Sequence, residues 1–320
     1  MAIALPTDDG TVAREITPEL QAMQRRIRAL AAEKNAVVLA HIYQRGEVQA
    51  VADFIGDSLN LSREAASTKA DIIVFCGVHF MAETAKLLSP NKLVLLPDMK
   101  AGCGMADMIT GDQAREFKAA HPGRPLVSYV NTFAEVKAES DICCTSTNAA
   151  RVVQSLPDRE VLFAPDRFLA AWVQKHTPDK KIIAFNGYCP THFVIKPSMV
   201  EARKKLSPDA LVLAHPECSP EVLEMADFVG STQGLMDYAG KSDRREFIIL
   251  TESGLLLRLR ELYPEKRFVS IAPCPHCPYM KFVELEKVLA CLENESNPIE
   301  IPTAIMLRAR TSIERMMAVV

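Results

Sequence analysis

Short apolar runs alternate with helical patterns along almost the whole chain. The runs cover residues 36–40, 72–76, 93–96, 126–130, 141–144, 161–164, 181–185, 210–214, 247–250 and 268–271. They are rich in β-branched residues and continuously apolar, as parallel strands buried on both faces are. The intervening stretches carry helical spacing. The first predicted helix starts at Thr17-Pro18, an N-cap with proline at the first helical position, and puts Leu20, Met23, Ile27 and Leu30 on one face. The last two are predicted over 279–292 and 303–318. Strands alternating with helices predict βαβ units and an α/β fold.

The pattern repeats internally. Val38-Leu39-Ala40-His41 recurs as Val212-Leu213-Ala214-His215, with Leu126-Val127-Ser128-Tyr129 between them. Each ends a strand and carries a second polar residue two positions on: His41 and Tyr43, Tyr129 and Asn131, His215 and Glu217. The leading residues stand 88 and 86 apart. Ser58, Ser146 and Ser231, each at the start of a helical pattern, stand 88 and 85 apart, and Cys103, Cys189 and Cys277 stand 86 and 88 apart. Three features with one period of about 87 residues predict three homologous three-layer αβα domains with parallel sheets around a pseudo-threefold axis. The polar strand ends would then meet at the centre. The expected domains are 1–98 together with the C-terminal helices in 281–320, then 99–180, then 181–280.

Composition narrows the class. At 48% hydrophobic and 24% charged, the 320 residues suit a globular protein with a large core. A net charge of −3 offers no basic footprint for nucleic acid. Residues 1–9 lack the basic and apolar regions of a signal peptide, and no apolar run approaches the roughly 18 residues that span a bilayer, so no membrane association and a cytoplasmic location are expected. Nine cysteines in a reducing compartment argue for metal binding or catalysis over a disulfide framework. Cys76, inside an apolar run, and Cys291, inside a helix, read as small buried hydrophobes.

The stretch Cys274-Pro275-His276-Cys277 is locally ambiguous: a zinc half-site, a redox pair or part of an iron–sulfur site. The period separates its two cysteines. One thiolate per repeat, from Cys103, Cys189 and Cys277, would give three soft ligands and leave a fourth position open. A [4Fe–4S] cluster with one iron free as a Lewis acid fits that set, and a three-cysteine zinc site or unrelated structural cysteines are the alternatives. Cys144, Cys218 and Cys274 are the neighbours that could stand in for a ligand. The serines either cap helices or present helix N-termini to anions. His41, Tyr43, His215 and Glu217 offer donors and acceptors for proton transfer on one side of their strands. His192, three residues after Cys189, is placed to hydrogen-bond at the thiolate site.

Taken together, His41-Ile42-Tyr43, Gly56-Asp57-Ser58, Ala101-Gly102-Cys103-Gly104-Met105-Ala106-Asp107, Tyr129-Val130-Asn131, Cys144-Thr145-Ser146, Gly187-Tyr188-Cys189-Pro190-Thr191-His192, His215-Pro216-Glu217-Cys218, Gly230-Ser231-Thr232 and Cys277-Pro278-Tyr279-Met280 make a specific set. Over nearly its whole length the sequence resembles the quinolinate synthase family, the iron–sulfur enzymes of bacterial de novo NAD synthesis. The resemblance implies a [4Fe–4S] cluster on Cys103, Cys189 and Cys277. It implies a transferase reaction in which iminoaspartate condenses with dihydroxyacetone phosphate, losing phosphate and two waters to give quinolinate. It implies that His41, Ser58, Asn131, Ser146, Ser231 and Thr232 hold the carboxylates and phosphate. Tyr43, Tyr129, His215 and Glu217 would move protons, and His192 and Met280 would line the cluster end. An L-aspartate oxidase that supplies iminoaspartate is the partner the pathway suggests. An iron–sulfur hydro-lyase acting on small hydroxy acids and a cluster-bearing redox sensor are the competing readings. Some members carry Cys-x-x-Cys-x-x-Cys at the last ligand position. Here Ile271 takes its first place, so the redox switching proposed for the longer motif is not expected.

Overall fold

The computed structural model describes residues 17–319. The expectation about residues 1–9 lies outside them. Among the described residues twelve parallel strands form three sheets. The first holds β1 (Ala36–His41), β2 (Phe54–Gly56), β3 (Ile72–Cys76) and β4 (Leu93–Leu95). The second holds β5 (Leu126–Tyr129), β6 (Ile142–Cys144), β7 (Glu160–Ala164) and β8 (Lys181–Ala184). The third holds β9 (Leu211–Ala214), β10 (Phe228–Val229), β11 (Glu246–Leu250) and β12 (Arg267–Ser270). The strand orders are 2-1-3-4, 6-5-7-8 and 10-9-11-12. One topology therefore occurs three times, with helices flanking each sheet, as the sequence period predicts.

Why these residues form these strands is visible in burial. All five residues of β3 are buried, as are five of six in β1 and four of five in both β7 and β11. A strand covered by helices on both faces has no polar side to show. The two strands absent from the sequence reading, β2 and β10, are three and two residues long, and Phe54 in β2 is 45% exposed. They carry no continuous apolar run. Their signal lies in the preceding residue. Asp53, Asp141 and Asp227, again 88 and 86 apart, each accept from the backbone N–H of Val38, Leu126 and Val212 at 2.7 Å. Each also returns its own N–H to the same residue's carbonyl at 2.8–3.0 Å. The aspartate thus pins the start of the short strand to the central one.

The first helix, Pro18–Glu33, begins as expected, with the Thr17 side chain accepting from Leu20 N–H at 3.2 Å. The helix predicted from 279 instead begins at Leu285, after a single 3-10 turn over Met280–Phe282. The cause is local: Arg45 takes the Lys281 carbonyl through Nε and Nη2 at 3.0 and 2.9 Å, and Val283 and Glu284 run extended. The helix Leu285–Asn294 then packs on Pro18–Glu33. Residues 297–299 cover the edge of β4, with Ile299 N–H donating to Val94 O at 2.8 Å. The last helix, Thr303–Ala318, lies on the helices Ala134–Glu139 and His79–Leu88 and on β6, so it joins elements of the first and second repeats. Among the described residues no helix is long and apolar enough to cross a membrane.

Candidate active site

In an order such as 2-1-3-4 the strand sequence reverses beside β1, and ligands bind at the carboxyl ends of strands near such a reversal. Those ends from all three sheets line one cavity of about 340 Å³. His41 ends β1 and Tyr43 follows it, Val78, Phe80 and Met81 follow β3, Tyr129 ends β5 and Asn131 follows it, His215 and Glu217 follow β9, and Glu252 follows β11. The cavity collects His41, Tyr43, Ser58, Tyr129, Asn131, Ser146, His192, His215, Glu217, Thr232 and Met280, together with Cys103, Cys189 and Cys277. Of the candidate ligand, binding and proton-transfer residues expected from sequence, Ser231 alone is not in the wall. Its hydroxyl caps the helix Thr232–Lys241, accepting from Gly234 N–H at 3.2 Å.

The helix starts differ among the repeats. Ser58 opens the helix Ser58–Ser67, but the cap is Asp57, whose Oδ1 accepts from Asn60 N–H at 2.9 Å. Ser146 does not open a helix. It sits in a turn closed by Asn148, whose Oδ1 accepts from Thr145 N–H at 2.8 Å, and the helix begins only at Ala149. Asn148 holds the turn through Thr145 without capping the helix, and Ser146 is left in the cavity wall.

The two histidine strand ends share a geometry. His41 Nδ1 accepts from Tyr43 N–H at 3.1 Å, and His215 Nδ1 accepts from Glu217 N–H at 3.4 Å. In a neutral ring this places the proton on Nε2. Burial pushes His41 down to about 3 and His215 down to about 4, so both are neutral at pH 7. Each then offers the cavity one N–H donor.

Glu217 has the most partners. Tyr129 Oη donates to its Oε1 at 2.6 Å, and His192 Nδ1 lies 2.8 Å from its Oε2. Burial opposes the charge, but neighbouring His192 and His215 and the hydrogen bonds from His192 and Tyr129 outweigh it and hold the carboxyl well below the ordinary range. Burial, and then Glu217, push the Tyr129 phenol well up, and burial does the same to Tyr43. Both phenols are therefore protonated donors at neutral pH.

A carboxylate only accepts, so His192 donates from Nδ1. Its Nε2, 2.8 Å from Thr251 Oγ1, accepts when the ring is neutral. Thr251 then accepts from Tyr43 Oη at 2.7 Å, and Tyr43 accepts from Thr232 Oγ1 at 3.1 Å. One directed chain thus runs Thr232, Tyr43, Thr251, His192, Glu217, with Tyr129 donating from the far side. Protonating His192 makes Nε2 a donor and reverses the Thr251 link. Thr251 is 1% exposed and escaped the sequence reading.

The three periodic cysteines occupy one wall. Gly102 and Gly104 flank Cys103, and a Cβ on either would come within 3.6 Å of the Tyr279 ring or 3.3 Å of Pro190, so the three loops meet closely there. Burial pushes the Cys103 thiol up to about 12 and raises Cys189 and Cys277; Cys277 further raises Cys103, and Cys103 and Cys277 further raise Cys189. Three such thiolates can share a wall only around a cationic centre. The donor set fits a soft metal or an iron–sulfur cluster. None of Cys76, Cys143, Cys144, Cys218, Cys274 and Cys291 lines the cavity. Cys189, His192 and Glu217 also bring one ligand atom each within 4.8 Å of one another, a group able to hold a metal ion. In the structure the same atoms are joined by hydrogen bonds, with His192 Nδ1 3.2 Å from Cys189 Sγ.

Neutral burial of His41 and His215 has a sign for stability. The unfolded chain takes up protons on both near pH 6.5, while the folded chain resists until about pH 4 and 3. Stability is therefore complete above pH 6.5 and falls as the pH drops to about 4 for His215 and about 3 for His41, by roughly 1.4 kcal/mol per histidine per pH unit once the unfolded group is protonated. Urea unfolding of metal-free protein at pH 7 and 5.5 should show this loss, and His41→Asn should remove about half of it. An equal loss in that variant would refute the assignment.

Residues 25–318 match the family model for quinolinate synthetase A protein. A quinolinate synthase of Thermodesulfovibrio yellowstonii is 50% identical over 92% of this chain and 97% of its own length. One from Dehalococcoides mccartyi is 53% identical over 93% and 98%. One from Aquifex aeolicus is 48% identical over 95% and 96%. With the family profile spanning nearly every described element and full-length relatives near half identity, the chain belongs to the quinolinate synthetase A family.

Proposed function

We propose that the protein condenses iminoaspartate with dihydroxyacetone phosphate to form quinolinate, with a [4Fe–4S] cluster held by Cys103, Cys189 and Cys277. The observation that carries this reading is the convergence of those three cysteines, one per repeat, on one wall of a cavity of about 340 Å³, within the size range of small-molecule sites. The family match favours the synthase over the hydro-lyase and the sensor. When bound, the cluster supplies a Lewis-acidic iron at its one position without a thiolate.

The protein's own groups then divide the work. His41 and His215 present Nε2–H donors, and Ser58 and Ser146 present hydroxyls to the two carboxylates and the phosphate, while the Thr232 proton is held by Tyr43. The Asn131 Oδ1 is buried without a partner, which leaves it free for a substrate hydroxyl or amine. Glu217 is ionised and accepts a proton. Tyr129, already donating to it at 2.6 Å, passes one across in either direction. Tyr43 performs the matching transfer at the other end of the Thr251–His192 chain. Met280, Phe80 and Met81 make the wall apolar and limit water that would hydrolyse the imine. We take an L-aspartate oxidase as the source of iminoaspartate, because that imine decays in water.

The test is substrate requirement. Anaerobic, cluster-loaded protein should form quinolinate only when both iminoaspartate and dihydroxyacetone phosphate are present. Dehydration of small hydroxy acids without any triose phosphate would overturn the reading in favour of a hydro-lyase.

A further inference from the structure

Glu252 is fully buried and lines the cavity. It stands 86 residues after Asp166, at the equivalent end of the third strand of its repeat. Its Oε2 accepts from Gly254 N–H at 2.7 Å, and its Oε1 accepts from Cys277 N–H at 3.2 Å. Lys281 Nζ lies 3.0 Å from the same Oε1 and donates to the Tyr43 carbonyl. The Lys281 carbonyl is in turn held by Arg45. Tyr43 has no slack on its other side: a Cβ on Gly254 would lie 2.7 Å from Tyr43 Cα. Behind these groups is a second cavity of about 40 Å³, lined in part by Gln44, Arg45, Gly254, His276 and Lys281.

We infer that the Glu252–Lys281 ion pair straps the loop carrying the Tyr43 phenol to the loop carrying Cys277, so that filling the three-thiol site and aligning the phenol are one event. Glu252 and Lys281 are positioning residues, acting through Cys277 and Tyr43. A buried ion pair loses several kcal/mol of hydration per ion and recovers it only through close hydrogen bonds, so it is poor glue but a strict register device. Here the bond from Cys277 N–H and the Lys281 bond to the Tyr43 carbonyl end on the two loops, while Gly254 N–H and Ser253 Oγ fix the carboxylate in its own turn. A mere packing role would need no lysine aimed at a single backbone carbonyl. The inference rests on the reading of Cys277 as a cluster ligand.

The experiment is amide hydrogen–deuterium exchange over residues 42–49, in metal-free and cluster-loaded protein, with iron counted in the same samples. Loading the wild type should slow exchange there at least tenfold. Lys281→Met and Glu252→Gln should bind iron at the wild-type level and lose that response. Their kcat should fall at least tenfold with KM changed less than threefold, and Lys281→Arg should restore part of both. Wild-type protection on loading in both Lys281→Met and Glu252→Gln would overturn the strap. So would no response in the loaded wild type. An iron-free wild type would instead overturn the cluster reading, and the strap with it.

Discussion

Replacing Cys103, Cys189 or Cys277 by alanine should each abolish quinolinate formation and remove the cluster. No other described cysteine reaches the cavity, so no thiol is in place to substitute. Two thiolates and two open positions hold a cluster poorly in a wall where burial raises every remaining thiol. The fold should survive, because Cys103, Cys189 and Cys277 are half-buried at a cavity edge and outside the fully buried core. Cys76→Ala and Cys291→Ala are the controls. Both thiols sit in a separate apolar cluster beneath the first sheet, 0% and 1% exposed. Their loss should cost about 1 kcal/mol of stability through lost packing and leave iron and activity unchanged. Iron analysis and anaerobic rates on the five variants check the set. Cluster loss in Cys291→Ala would mean that the 87-residue period chose the wrong thiols.

Glu217→Gln should lower kcat by roughly 10²–10⁴ while iron content stays at the wild-type level, the range lost when a positioned acid–base group is removed. The isosteric amide keeps one acceptor for Tyr129 but turns an NH₂ toward His192 Nδ1, which also donates. His192 relieves the clash by moving its proton to Nε2, and Thr251 and Tyr43 must then reverse. The substitution thus removes the base and misdirects the hydrogen-bond chain to the second phenol. Anaerobic initial rates beside iron analysis test it, and a rate within tenfold of wild type would exclude Glu217 as the proton acceptor.

The parts of this arrangement legible in sequence are those the period repeats. His41, Tyr129 and His215 end equivalent strands, and one cysteine per repeat sits at matched positions, so spacing alone brings them together. Ten strands are visible as apolar runs because both of their faces are buried. β2 and β10 are not, because two or three partly exposed residues make no run, and only Asp53 and Asp227 mark them. Ser146 shows the limit of the period: the second repeat places it in a turn closed by Asn148, not at a helix start, and leaves it in the cavity wall. Thr251 and Glu252 were missed for a similar reason. Their counterparts Pro165-Asp166 and Gly77-Val78 share position but not chemistry, so no repeated letter points to them. Their importance comes from contacts with Tyr43, His192, Cys277 and Lys281 that only the folded chain creates.

The central claim is that three cysteines, one from each repeat, hold one iron–sulfur cluster in this cavity. The most direct measurement is the iron content and visible spectrum of the wild-type protein purified without oxygen. The account predicts a brown protein with broad absorption near about 400 nm and about four irons per chain. A colourless protein carrying one zinc, or no metal, would contradict it.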